Sequence, residues 1–122
     1  MPESVIRIIE QGLALAAVDV LDAMARRDRL RQLFHEIAAP YDALLTPAAI
    51  AEAPPAEEGT GDPIFAATWT ILGAPAVSLP LLAGEAGLPL GLQAVAAPRQ
   101  DGALLHAAAW LMRETPNGRG RL

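Results

Sequence analysis

Few residues in this 122-residue chain have the chemistry of a catalyst. There is no lysine and no cysteine, and the only serines are Ser4 and Ser78. A hydrolytic serine needs a base beside it and small flanking residues, so that substrate can approach the hydroxyl. Ser78 stands in Ala-Val-Ser-Leu-Pro, a strand-like run with branched neighbours, where a hydrogen-bonded core hydroxyl is the expected role. Ser4 follows Pro2 and Glu3 at a helix start and is expected to cap it by accepting a backbone N–H. Ser78, His106 and Asp101 can be written down as a triad, yet triads are recognised by geometry and any small protein offers such a trio. His35 and His106 have no third His, Cys or carboxylate at ligand spacing, so no metal site is assigned. The glycines match neither the dinucleotide fingerprint nor a phosphate loop, and without lysine a Walker-type site is excluded. The residues themselves therefore specify no catalytic group, no metal and no cofactor.

Composition narrows the remaining classes. With 52% apolar residues the chain can build one core, although Phe34, Tyr41, Phe65, Trp69 and Trp110 are its only aromatic anchors. A formal charge of −5 argues against nucleic acid as a partner. The one basic cluster, Arg26 to Arg31, is interrupted by Asp28 and reads as the solvated side of a helix. Residues 1–15 lack the pattern of a signal peptide, because Glu10, Gln11 and Gly12 break the apolar run. No apolar stretch reaches the roughly 18 residues that span a bilayer. A soluble cytoplasmic protein without a membrane partner is expected.

The elements that must position any site follow from periodicity. Residues 2–11 predict a short helix on Val5, Ile8 and Ile9, stopped by Gly12. Residues 14–38 predict a longer one that buries Leu21, Met24, Leu30, Leu33, Phe34 and Ile37, exposes Asp22 and Arg26, and ends at Pro40. Residues 42–46 fit a buried strand, and residues 47–63, rich in proline, glycine and acid, an exposed loop. A helix over 64–72 stops at Gly73. Residues 76–82 and 90–96 are two strands, expected as an antiparallel hairpin with covering layers on both faces. Asp101 is placed to cap a last helix carrying Leu104, Leu105, Ala108, Leu111 and Met112, and 115–122 is expected as a flexible tail. The order is that of an α/β protein with a mixed β-sheet and flanking helices. Three apolar strands want more sheet beside them.

Three phrases occur in order: Asp42-Ala-Leu-Leu-Thr-Pro47; Gly61-Asp-Pro63 leading to Trp69-Thr-Ile-Leu-Gly-Ala-Pro-Ala-Val-Ser-Leu-Pro80; and Gly87-Leu-Pro-Leu-Gly-Leu-Gln93. With Ile9-Glu-Gln-Gly12 and Asp101-Gly-Ala-Leu-Leu105, they make the chain resemble the C-terminal part of the amidase signature family, up to about Arg113. The resemblance implies a C-terminal fragment of the amidase-signature fold over 1–122. Such enzymes hydrolyse carboxamides through an acyl-enzyme, using a serine nucleophile, a second serine and a lysine base that lie N-terminal to the matched region. None of that machinery is present in this sequence, so the chain alone is expected to be inactive. Its implied partner is the N-terminal catalytic half of an amidase. The alternative is a non-catalytic interaction or oligomerisation module that pairs the same sheet with a copy of itself or with another subunit. The helix before Gly73 tends to line the substrate channel in the family, which makes Phe65, Thr68 and Trp69 the substrate-binding candidates. Thr70 stands where the family often has asparagine.

Overall fold

A computed structural model describes residues 3–115 and 120–121 of the chain. Helix α1 (Glu3–Leu13) leads into α2 (Ala17–Ala38), and β1 (Leu44–Pro47) opens the sheet. A loop holding one 3-10 turn (Ala56–Glu58) leads to α3 (Ile64–Leu72), then come the strands β2 (Ala76–Ala83) and β3 (Pro89–Val95) and helix α4 (Asp101–Glu114). A two-residue strand β4 (Gly120–Arg121) completes the order. The rest of the expected tail, 116–119 and 122, lies outside the described residues, as does the side chain of Ser4.

The sheet order is β1-β3-β2-β4. Strands β2 and β3 form the expected hairpin, β1 joins β3 antiparallel, and β4 runs parallel to β2, so pairing is mixed. The β2–β3 register slips by one residue between Leu79 and Leu82. Pro80 lies within the slip; proline has no N–H to give the ladder, and within a strand it is tolerated at a bulge.

The two faces of the sheet are covered unequally. Helix α4 lies on one, where Leu104, Ala108 and Leu111 pack against Val77, Leu79, Leu81, Leu92, Ala94 and Ala96. Burying one leucine is worth roughly 1.5–3 kcal/mol, so Leu79, Leu81 and Leu104 make this the better-anchored layer. On the opposite face Phe34 and Ala38 of α2, with Trp69 and Leu72 of α3, cover only Leu44, Val95 and Ala97 at one end. Full cover on both faces, expected from the apolar strands, is thus met for the C-terminal end of β3, around Val95, but not for β2, where Ala76, Ser78 and Pro80 are exposed.

Several local expectations need correction. Helix α2 buries Phe34 and Ala38 alone; Leu21, Met24, Leu30, Leu33 and Ile37 are exposed, since among the described residues only the side of the helix that carries Phe34 and Ala38 meets the sheet. Helix α1 runs through Gly12 to Leu13, and its apolar side chains are also exposed. Asp101 is the first residue of α4 rather than its cap, and no side chain caps that end. Leu105 and Met112 face solvent. Gly73 closes α3 as expected, with φ +63° and its N–H on the carbonyls of Thr70 and Trp69.

Candidate functional site

The α3 side of the sheet carries an unusual set of polar groups. Register places Thr46 of β1 and Ser78 of β2 directly opposite Gln93 of β3, so the three form one row across the strands. Gln93 is only 9% exposed. Its Oε1 accepts the indole N–H of Trp69 at 2.8 Å. An indole can only donate, which fixes the amide with its oxygen toward α3 and its NH2 group pointing elsewhere. Among the described residues that NH2 has no acceptor, and no side-chain polar atom is both fully buried and unpartnered, so it reaches the open part of the face.

Gly91, two residues before Gln93, is the dent beside this row. A Cβ there would collide with the hydroxyl of Ser78 and stand 2.9 Å from the Cβ of Ala48. Ser78 is exposed and makes no hydrogen bond among the described residues, so the expected core hydroxyl is instead one edge of an accessible polar row. The cause is that no layer among the described residues covers the face of β2 carrying Ser78. His106 and Asp101 belong to α4, which covers the other face of the sheet, so the paper triad is not assembled. Among the described residues no three His, Asp or Glu side chains converge as a metal site.

Helix α3 holds the three wall candidates differently. Trp69 is clamped between β3 and α2, its ring 5.5 Å from that of Phe34 and tilted by 45°. Thr68 is exposed, its hydroxyl donating to the carbonyl of Ile64 at 3.0 Å. Phe65 is half-buried. The start of α3 is set by Asp62, whose Oδ1 accepts the N–H of Ile64 at 2.9 Å. Thr70 spends its hydroxyl on the carbonyl of Ala66. Gln93 is not singled out by the sequence reading, although one polar residue in Leu-Gly-Leu-Gln-Ala-Val marks a strand position that must find a partner.

A cavity of about 660 Å³ lies beside the outer edge of β1 and brings Tyr41, Asp42 and Leu45 near His106 and Trp110 of α4.

The combination of an α3 tied to a hairpin, a β1 added to the far side and an α4 beneath is found in known proteins. The family model described as Amidase matches residues 1–105. The chain belongs to the amidase family. A solved amidase structure superposes on 94% of this chain with a TM-score of 0.78 and 31% identity, over 29% of its own length. A glutamyl-tRNA(Gln) amidotransferase subunit of Dinoroseobacter shibae is 34% identical over 117 residues, which covers 84% of this chain and 23% of that protein. The corresponding protein of Jannaschia sp. is 37% identical over 94 residues, covering 69% of this chain and 19% of that protein. The human mitochondrial counterpart is 35% identical over 82 residues, covering 60% of this chain and 16% of its own length. The chain thus spans about a quarter or less of the curated relatives it matches, and its fold is part of an amidase fold.

Proposed function

We propose that this chain is the C-terminal, sheet-bearing portion of an amidase that cleaves carboxamide C–N bonds through a serine acyl-enzyme. The nucleophile and its lysine base are then supplied by the N-terminal catalytic portion, since the sequence here has neither a lysine nor adjacent serines. The observation that carries this reading is the half-covered sheet. Its α3 face is closed at one end by Phe34 and Trp69 and open over Gly91, Ser78 and the NH2 of Gln93. An open face with oriented donors and an apolar surround suits a layer of protein, whereas lipid would leave those donors unpaired. The described residues contain no helix long and apolar enough to cross a membrane.

In the complete enzyme α3 forms one wall of the substrate channel. Trp69 acts from within, holding the helix to Gln93, while Phe65 and Thr68 present the surface that substrate meets. The named activity of the relatives, transfer of an amide, fits a channel that admits carboxamides.

The test is to combine the purified chain with the portion of the Dinoroseobacter shibae relative that precedes the matching segment, and to assay ammonia release from simple amides. Turnover that requires both pieces, and that is lost when the serine or lysine of the added piece is replaced, is the expected result. Turnover by this chain alone, abolished by Ser78→Ala, would overturn it.

A second reading is favoured by one observation: the outer edge of β1 is unpaired among the described residues, and Leu45 there is exposed. A copy of the same chain could add to that edge. Light scattering on the eluting chain separates the two, because a monomer that assembles with the catalytic portion excludes self-pairing as the main role.

A further inference from the structure

We propose that the cleft between α2, the turn at Gly73 and the β3–α4 loop is a binding site for a small oxyanion, a phosphate or polycarboxylate group held by Arg29, Arg31 and Arg99. The cleft has a volume of about 740 Å³, and His35 shares its wall. Arg29 and Arg31 come from α2 and Arg99 from the loop after β3, so the tertiary fold adds a third positive charge to the two of the helix in a chain of net charge −5. The carboxylate on the wall, Asp28, is already engaged by Arg27, whose Nη2 stands 3.0 Å from its Oδ1. Among the described residues Arg29, Arg31 and Arg99 make no ion pair.

Two backbone features hold these groups where they are. Pro98 and Arg99 are the central residues of a turn closed by the N–H of Gln100 on the carbonyl of Ala97, 3.0 Å away. Arg99 has φ +70°, at the turn position that glycine or asparagine ordinarily fills. No hydrogen bond or ion pair of its side chain among the described residues offsets that strain, and residues held this way cluster at ligand clamps. Gly73 provides the second feature. Its missing Cβ would stand 3.0 Å from Nη2 of Arg31, so the guanidinium lies over the turn closing α3, at the negative end of that helix. Planar guanidinium forks grip phosphate and carboxylate oxygens in pairs, and three of them around one cleft can surround a compact multivalent anion. The acidity of the whole chain disfavours an extended nucleic acid, which needs a basic track rather than one cleft. The named groups all lie in this chain, so the proposal stands whether or not the amidase reading holds.

The experiment is a titration of the 122-residue chain with pyrophosphate and, separately, citrate at constant ionic strength, followed by calorimetry and by the amide signals of 15N-labelled protein. Saturable shifts confined to Gly73, Arg99, Gln100 and the neighbouring turn of α2 are expected, and the tighter of the two anions identifies phosphoryl or carboxylate as the natural group. Arg31→Gln and Arg99→Gln should each weaken binding about tenfold or more, the scale of one charge-assisted hydrogen bond. Arg7→Gln, which removes the same charge from α1, should leave it unchanged. Arg99→Gly keeps the turn, so a loss of affinity in that variant is a loss of the side chain and not of the fold. The proposal is overturned by non-saturable shifts with both anions at millimolar concentration, or by equal weakening in Arg7→Gln. Stronger binding of a single-stranded oligonucleotide, with shifts spread along α2, would overturn it as well.

Discussion

The indole nitrogen of Trp69 reaches across to the side-chain oxygen of Gln93 at 2.8 Å, joining the last turn of α3 to the middle of β3. It is the one side-chain hydrogen bond among the described residues that links a helix to the sheet, and it lies next to the Phe34 contact with α2. Trp69→Phe should therefore cost more than its lost area. Leaving Oε1 of Gln93 buried without a donor is expected to destabilise the chain by about 1–3 kcal/mol. Gln93→Met alone is expected to cost a similar amount, but the double variant less than the sum, because neither orphan then remains. Urea denaturation of the four proteins in the cycle measures the coupling.

Gly91 makes room for the polar row. Gly91→Ala should destabilise by about 1–3 kcal/mol, the usual cost of overpacking. Adding Ser78→Gly should recover only part, since the Cβ of Ala48 would still stand 2.9 Å from the new methyl. Thermal melts of the single and double variants check both parts.

Ser78→Ala by itself should change stability by less than about 0.5 kcal/mol, as expected for an exposed side chain without a partner. A larger loss in the same melts would restore the core role that the sequence context suggests.

Arg99 and Gly73 should respond in opposite directions. Arg99→Gly relieves a left-handed residue and is expected to stabilise by about 1 kcal/mol. Gly73→Ala places a Cβ at φ +63° and against Arg31, and should cost about 1–2 kcal/mol, with Gly73→Asn milder. Chemical denaturation read by tryptophan fluorescence, with Trp69 at the end of the affected helix, is the direct measurement.

What can be read from the sequence is what local rules decide. The α3 limits, its glycine stop and the β2–β3 hairpin follow from periodicity and turn residues, and they stand within a residue or two of the structure. The ordered phrases point to the family without any knowledge of the fold. Burial is less legible. Leu30, Leu33 and Ile37 fall on one side of α2 and look internal, but a stripe states only that a helix has an apolar side, not that the chain contains what covers it. Ser78 misleads for the same reason. The row Thr46, Gln93, Ser78 and the convergence of Arg99 on α2 depend on register and on long-range packing, which no single segment encodes.

The strand order also carries a consequence for how the protein is made. Leu44 pairs with Val95, so β1 leaves the ribosome long before the strand that receives it, while β2 and β3 can close as a local hairpin. During that interval α1, α2 and β1 show their apolar sides with nothing to rest on. A segment with unpaired apolar surface of this kind is prone to aggregate until its partner strand exists. The last strand synthesised in the hairpin, β3, is then the seat on which the earlier one finally docks.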